Sequence, residues 1–321
     1  LSDELLRNVF LPAYGNETLA RLEDQASLVL GTQRLAFTTD SFVVRPLFFP
    51  GGDIGKLAVN GTVNDLAVGG AKPLFLSAAF ILEEGFPLTD LRRIAESMRE
   101  ACTAAGVVLV TGDTKVVDRG KADGVFITTS GVGILPPSCS LSIRNARPGD
   151  RILVSGTVGD HGIAIMSVRE GLEFETTLES DTAPLHDLAA TILNTCPAVR
   201  CMRDPTRGGL ASAVNELATA ASVGVLLEEA AIPVRPEVRG ACELLGLDPF
   251  TAACEGKLIA VVPGEDGEAV LAAMRAHPLG KNAAIIGTIT AENAGLVVMR
   301  SPIGGERILS LPLGELLPRI C

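Results

Sequence analysis

The chain has 321 residues, a size that suggests about two domains, and carries a net charge of −11 with pI near 4.9. With 47% hydrophobic and 20% charged residues it can bury a core, which excludes wholesale disorder. Its acidity argues against a general nucleic-acid or anionic-membrane binder, and the lack of Trp, with one Tyr, argues against a base-stacking platform.

In chain order, strand-like and helix-like stretches alternate. Arg34–Thr39 reads as a short strand with Asp40 at its end. Asp53–Val68 has near-helical apolar spacing and stops at Gly69-Gly70. Thr89-Asp90 can cap a helix that Gly106 ends, and Val107–Thr111 then reads as a buried strand delivering Asp113 and Lys115. Gly124–Gly133 is a further strand, and the Pro-rich stretch from Pro136-Pro137 to Pro148-Gly149 is the expected domain boundary. Beyond it, strands are expected at Arg151–Ser155, Lys257–Val262 and Ala283–Gly287. Helices are expected near Asp160–Glu170, Pro184–Asn194, Gly208-Gly209 to Ala221, and Glu265–Ala276. The division expected is 1–145, 146–311 and an extended tail over 312–321, two α+β domains and a mobile end.

Seven scattered cysteines without a repeated C-x-x-C pair suggest reduced thiols in a cytoplasm rather than a disulfide framework. No apolar run has the length of a membrane span, and no signal peptide is read at the start. Cys321 is the last residue, where burial is least expected.

Candidate chemistry rests on a few side chains. Asp40, Asp65 and Asp113 are oxygen donors of the kind a hard divalent cation takes alongside substrate phosphates; each is equally a turn, cap or helix acid. Phe49-Pro50-Gly51-Gly52-Asp53 and Asp204-Pro205-Thr206-Arg207-Gly208-Gly209 each lead into a helix and either turn the chain or offer backbone N–H groups to phosphate. Lys115 can neutralise phosphate or sit in solvent. Glu255, just before an apolar strand, is either a loop acid or a carboxylate tuned as a base by desolvation. His161 reads as a helix-start residue, and three histidines suggest no triad or zinc cluster. These residues alone point weakly to a magnesium–nucleotide enzyme.

Read in order, FTTDSFVVRPLFFPGGDIGKLAVNGTVNDLAVGGAKP (37–73), ILEEGFP (81–87), VTGDTKVVDRG (110–120), VSGTVGDHG (154–162), RDPTRGGLASAVNE (203–216), PVRPEVRGACELLGLDPF (233–250), CEGKLIAVV (254–262) and the terminal LPRIC (317–321) resemble the HypE family of hydrogenase-maturation proteins. That family lies within the aminoimidazole ribonucleotide synthetase and selenophosphate synthetase superfamily. The glycine-rich stretch with which it usually opens does not precede Leu1.

The resemblance implies an α+β, two-domain aminoimidazole ribonucleotide synthetase-like fold. In it the N-terminal domain pairs sheets in a homodimer, the C-terminal domain is an α/β sandwich, and a flexible tail follows. It implies ATP-dependent dehydration of an S-carbamoyl group on Cys321 to a thiocyanate, the source of cyanide ligands for [NiFe]-hydrogenase iron. ATP and Mg²⁺ are the implied cofactors, a carbamoyltransferase (HypF) and a HypC–HypD scaffold the implied partners. Carried over by position, Asp40, Asp65 and Asp113 hold magnesium and ATP, and Lys115 stabilises the transferring phosphate. Thr206, Arg207, Gly208 and Gly209 contact nucleotide or tail. Glu255 is the candidate base, with Asp65 the alternative. Asp53 and Pro205 receive no role. An extended tail of this length reaches up to roughly 33–36 Å, enough to swing between two positions.

A small-metabolite ATP enzyme and a nucleotide-gated carrier are the competing readings. The terminal thiol has no use in the first, and tail-dependent phosphate release separates the second.

Overall fold

The computed structural model describes residues 5–171, 178–310 and 320–321. The N-terminal part is a five-stranded sheet with two helices on one face. Its elements are β1 (Ala26–Leu30), β2 (Gln33–Phe42), α1 (Ile54–Val68), β3 (Lys72–Glu83), α2 (Leu88–Ala105), β4 (Val108–Val117) and β5 (Val125–Ile134). The strand order is β1-β2-β5-β3-β4, antiparallel except for the β3–β4 pair. That parallel pair needs a crossover, and α2 supplies it.

α1 is buried on nearly every side, as its sequence of Ile, Leu, Val, Ala and Gly allows. Asp53 caps it, accepting the N–H groups of Gly55 and Lys56 at 2.8 and 3.0 Å. Gly61 lets β2 approach closely: a Cβ there would lie 2.8 Å from the ring of Phe42. This contact brings the polar residues of α1 down onto the sheet beside Asp40.

A linker through 135–150 leads to a seven-stranded sheet. Its strands and helices are β6 (Arg151–Val154), α3 (Asp160–Glu170), α4 (His186–Thr195), β7 (Cys201–Arg203), α5 (Gly209–Ala221), β8 (Gly224–Glu228), α6 (Pro236–Leu245), β9 (Ile259–Val262), α7 (Gly267–Ala276), β10 (Ala284–Thr290), β11 (Val297–Arg300) and β12 (Glu306–Ile308). The order is β12-β11-β8-β10-β6-β9-β7, with α5 and the α4–α7 pair covering apolar clusters built on its strands. This is the two-domain α+β architecture expected.

Three expectations change. Asp40 lies inside β2 and Asp113 inside β4, because both strands run on past the apolar stretches that marked them. Pro87, not Thr89 or Asp90, is the N-cap of α2, and Asp90 sits in its first turn. The chain end is not loose at its last two positions: Ile320 is 4% exposed among Phe42, Val44, Phe49, Ile165 and Ala253, and Cys321 is half-buried. The rest of the expected tail, 312–319, lies outside the described residues.

Candidate active site

The cleft between α1 and the second domain gathers acids from both. Asp65 projects from α1 toward β2, where the Thr38 hydroxyl donates to its Oδ2 at 2.7 Å. Burial, then the carboxylates of Asp204, Asp24 and Asp40, hold Asp65 well above the usual carboxylate range. Asp24 is pushed up to about 7 and Asp204 to about 6, in both cases chiefly by burial, with Arg203 pulling the other way. Arg203 pairs with Asp24 at 3.2 Å. Asp40 sits at the cleft mouth, raised by the protein around it and lowered by the N–H of Ser41 and by Arg207.

Glu255 closes the other side. It is 2% exposed, and its Oε1 has no hydrogen-bond partner among the described residues. Burial first, then Asp204, Asp181 and Asp40, push it well above its ordinary value, with Arg207 opposing. Its backbone is held from two directions: Asp181 accepts its N–H at 2.9 Å, and Asn64 Nδ2 donates to its carbonyl at 3.2 Å. Asn64 also donates to Ala183 O and accepts from Leu185 N, so one α1 side chain fixes the loop 181–185 and the Glu255 backbone together.

Cys321 lies in the same place. Arg207 Nη2 is 3.9 Å from its Sγ, and its thiol is pushed up to about 12 by burial and by the Glu255 carboxylate. Gly208 and Gly209, both at positive φ (+78° and +60°), turn the chain from Arg207 into α5, where L side chains are strained; Thr206 closes that turn by accepting the Gly209 N–H.

Asp113 and Lys115 are elsewhere. Strand register pairs Asp40 with Thr129 and Ala78 with Gly112, and pairs Ser41 with Thr128 and Ala79 with Asp113. Asp40 therefore faces the helices, and Asp113 faces the opposite side of the sheet, three strands or about 14 Å across. Lys115 binds Asp113 Oδ2 at 3.0 Å, and that ammonium lowers the Asp113 carboxyl. A single chain thus assembles Asp40, Asp65, Glu255, Arg207 and Cys321, and does not bring Asp113 or Lys115 to them.

Sequence reasoning missed Asp24, Asp181, Asp204 and Asn64. Asp204 alone had a usable signal, as the acid opening the Gly-rich turn it was quoted with; the other three act through pairings between distant segments.

Residues 22–135 match the family described as AIR synthase related protein, N-terminal domain, and residues 147–299 match its C-terminal domain. The carbamoyl dehydratase HypE of Azotobacter vinelandii is 58% identical over 99% of this chain and 93% of its own length. The chain belongs to the HypE family. The HypE of Escherichia coli K12 is 50% identical, over 99% of this chain and 95% of its own. Among solved structures, the HypE–HypF complex superposes with TM-score 0.91 at 48% identity, covering 96% of this chain and 99% of that one. HypE in complex with ATP gives TM-score 0.88 at 47% identity, covering 100% and 96%.

A magnesium ion fits the chemistry of the cleft. Among the described residues no three His, Cys, Asp or Glu side chains already converge as a metal cage. Mg²⁺ ordinarily takes only one or two carboxylates plus substrate phosphates, and the raised Asp65, Asp204 and Asp40 are mutually repelling acids that such a cation would relieve.

Proposed function

We propose that this chain is an ATP-dependent carbamoyl dehydratase that acts on an S-carbamoyl group carried by its own Cys321. The observation that carries the reading is the Cys321 sulfur placed beside Arg207 and close enough to the buried Glu255 for that carboxylate to raise the thiol. A small-metabolite enzyme would leave that position to its substrate.

The reaction converts S–C(=O)–NH₂ and ATP to S–C≡N, ADP and phosphate. The amide oxygen attacks the γ-phosphorus, the β–γ bridging oxygen leaves with ADP, and the oxygen becomes part of an imidate phosphate. Of the two N–H protons, one is lost to solvent as the imidate phosphate forms. Glu255 then takes the other, the C–O bond breaks with its electrons on phosphate, and the nitrile forms. Arg207, beside the sulfur, orients the group and offsets negative charge on its oxygen. The Oε1 of Glu255, without a hydrogen-bond partner among the described residues, is the acceptor an amide N–H requires, and burial and the neighbouring acids raise its affinity for a proton. Asp65 is the alternative base, but it is engaged by Thr38. Asp40 and Asp65, with Asp204 beside them, would hold Mg²⁺, which supplies charge neutralisation to phosphoryl transfer.

The outer face of the first sheet exposes Phe37, Phe75, Ile81 and Val108, and β4 is an open edge. A second copy covering it gives the homodimer and brings Asp113 and Lys115 under a neighbouring chain, where they act on phosphate across the pair. HypF, which a relative's crystal structure contains, is the loading partner, and a HypC–HypD scaffold receives the cyano group. Seven free thiols suit a cytoplasmic setting. The nitrile made in this way supplies cyanide ligands to [NiFe]-hydrogenase iron.

The test is intact mass with peptide mapping after incubation with the loading partner, carbamoyl phosphate and Mg-ATP. Loss of one water from a carbamoylated Cys321 peptide, absent with a non-hydrolysable ATP analogue, is expected. A carbamoylated peptide that never loses water would leave only a carrier.

A further inference from the structure

The second residue of α3, His161, is completely buried and is not part of the acid cluster. Its Nε2 lies 2.8 Å from the carbonyl oxygen of Ile320, and its Nδ1 2.7 Å from Ser180 Oγ. A carbonyl only accepts, so Nε2 carries the proton; Nδ1 then has the lone pair and Ser180 donates to it. Ser180 Oγ in turn accepts the Thr182 N–H at 3.2 Å, and the Phe49 ring stands edge-on to the imidazole at 5.6 Å. The tautomer is fixed by this chain of bonds, and burial keeps the ring neutral.

We infer that His161 is a positioning residue that latches the carbonyl of Ile320 and so sets the Cys321 sulfur before Glu255 and Arg207. Two further anchors act with it: the Val43 N–H donates to the Cys321 main-chain oxygen at 3.1 Å, and the Ile320 side chain packs in the apolar cluster of Phe42, Val44 and Phe49. Hydrogen bonds on two successive main-chain oxygens and one buried side chain fix the last two residues in position and direction. The latch is also tied to the base. Ser180 adjoins Asp181, whose carboxylate holds the Glu255 N–H and accepts Lys257 Nζ at 3.0 Å. Tail and base are thus set by one short loop. The catalytic meaning of the latch rests on the dehydratase reading; the docking itself does not.

The experiment reads docking without any reaction. The full-length protein is treated with iodoacetamide in the absence of nucleotide, and Cys321 alkylation is followed by peptide mapping for wild type, His161→Phe and His161→Gln. Phe fills the space without a donor, whereas the Gln amide places an N–H near the Nε2 position. Losing one buried hydrogen bond should raise the Cys321 rate about tenfold in His161→Phe, with His161→Gln restoring most of the protection. Equal rates in wild type and His161→Phe, with both folded, overturn the latch. Should His161→Phe not fold, Ser180→Ala decides: faster alkylation supports the latch and an unchanged rate overturns it. With carbamoylated protein, His161→Phe should lower kcat for water loss while leaving KM for ATP within about twofold. Protection without any water loss would sink the dehydratase reading and leave the latch standing.

Discussion

Asn64 Nδ2, on the first domain's α1, donates to the backbone carbonyl of Glu255 in the second domain at 3.2 Å. The neighbouring residue in α1 is Asp65, so the helix that carries this buried acid also sets the height of Glu255. Asn64 makes two other bonds into the loop at 183–185. Asn64→Ala leaves those buried partners unsatisfied and should cost about 2–3 kcal/mol in denaturant unfolding, with a fall in turnover.

Glu255→Gln removes the proton acceptor while keeping size and most contacts. Dehydration should fall roughly 10²–10⁴-fold, and ATP affinity should change little. In the wild type the rate should rise with pH through a value above the ordinary carboxylate range, because burial and neighbouring acids raise Glu255. A rate profile flat across that range would remove Glu255 from the role.

The acid cluster makes a linked statement about stability. Asp65, Asp24, Asp204 and Glu255 all bind protons more tightly folded than unfolded. Between the ordinary aspartate value of 3.8 and the value of about 7 reached by Asp24, the native state therefore holds more protons, and stability falls as pH rises. His161, lowered by burial, contributes with the opposite sign, as do the exposed, lowered carboxyls of Glu83, Glu96 and Asp113 at the acid end of the window. The melting temperature of the free protein should decline across this window, and Mg²⁺ should raise it more above the window than below.

Asp113 and Lys115 face away from the cleft of their own chain, which makes their action across a pair testable. Glu255→Gln and Lys115→Ala proteins should each be inactive alone. Mixed and re-equilibrated in equal amounts, they should recover about a quarter of wild-type turnover, since half the pairs are mixed and each holds one intact site. No recovery would place both residues in one chain's site.

Cys321→Ser should abolish water loss while leaving the melting transition near that of wild type, because the hydroxyl retains the volume and the latch acts on the backbone of Ile320. A large drop in melting temperature would mean that the thiol itself supports the fold.

Much of this was legible in the sequence where a local rule governed it. The helical period of 54–68 gave α1, and the Pro-rich stretch after Leu135 lies between the strand ending at Ile134 and the one starting at Arg151. β3, although central to its sheet, escaped because its Ala and Ser residues dilute the strand pattern, and α6 was hidden by Pro236 and Gly240. Glu255 could be flagged because an acid abuts an apolar strand. Asn64, Asp181 and His161 could not, since each acts on a partner far away in sequence. Asp53, given no role, is the cap of α1. The terminal cysteine's burial reversed the rule that chain ends are exposed, because Ile320 has an apolar pocket and the His161 side chain on its carbonyl, and the Val43 N–H binds Cys321 itself.

The central claim is that the carbamoyl oxygen becomes a phosphate oxygen. Protein carbamoylated at Cys321 with heavy oxygen in the amide, turned over once with Mg-ATP, tests this by phosphorus resonance or mass of the released phosphate. The account predicts that the label leaves in inorganic phosphate, one heavy oxygen for each nitrile formed. Label recovered in water, with unlabelled phosphate, would contradict it.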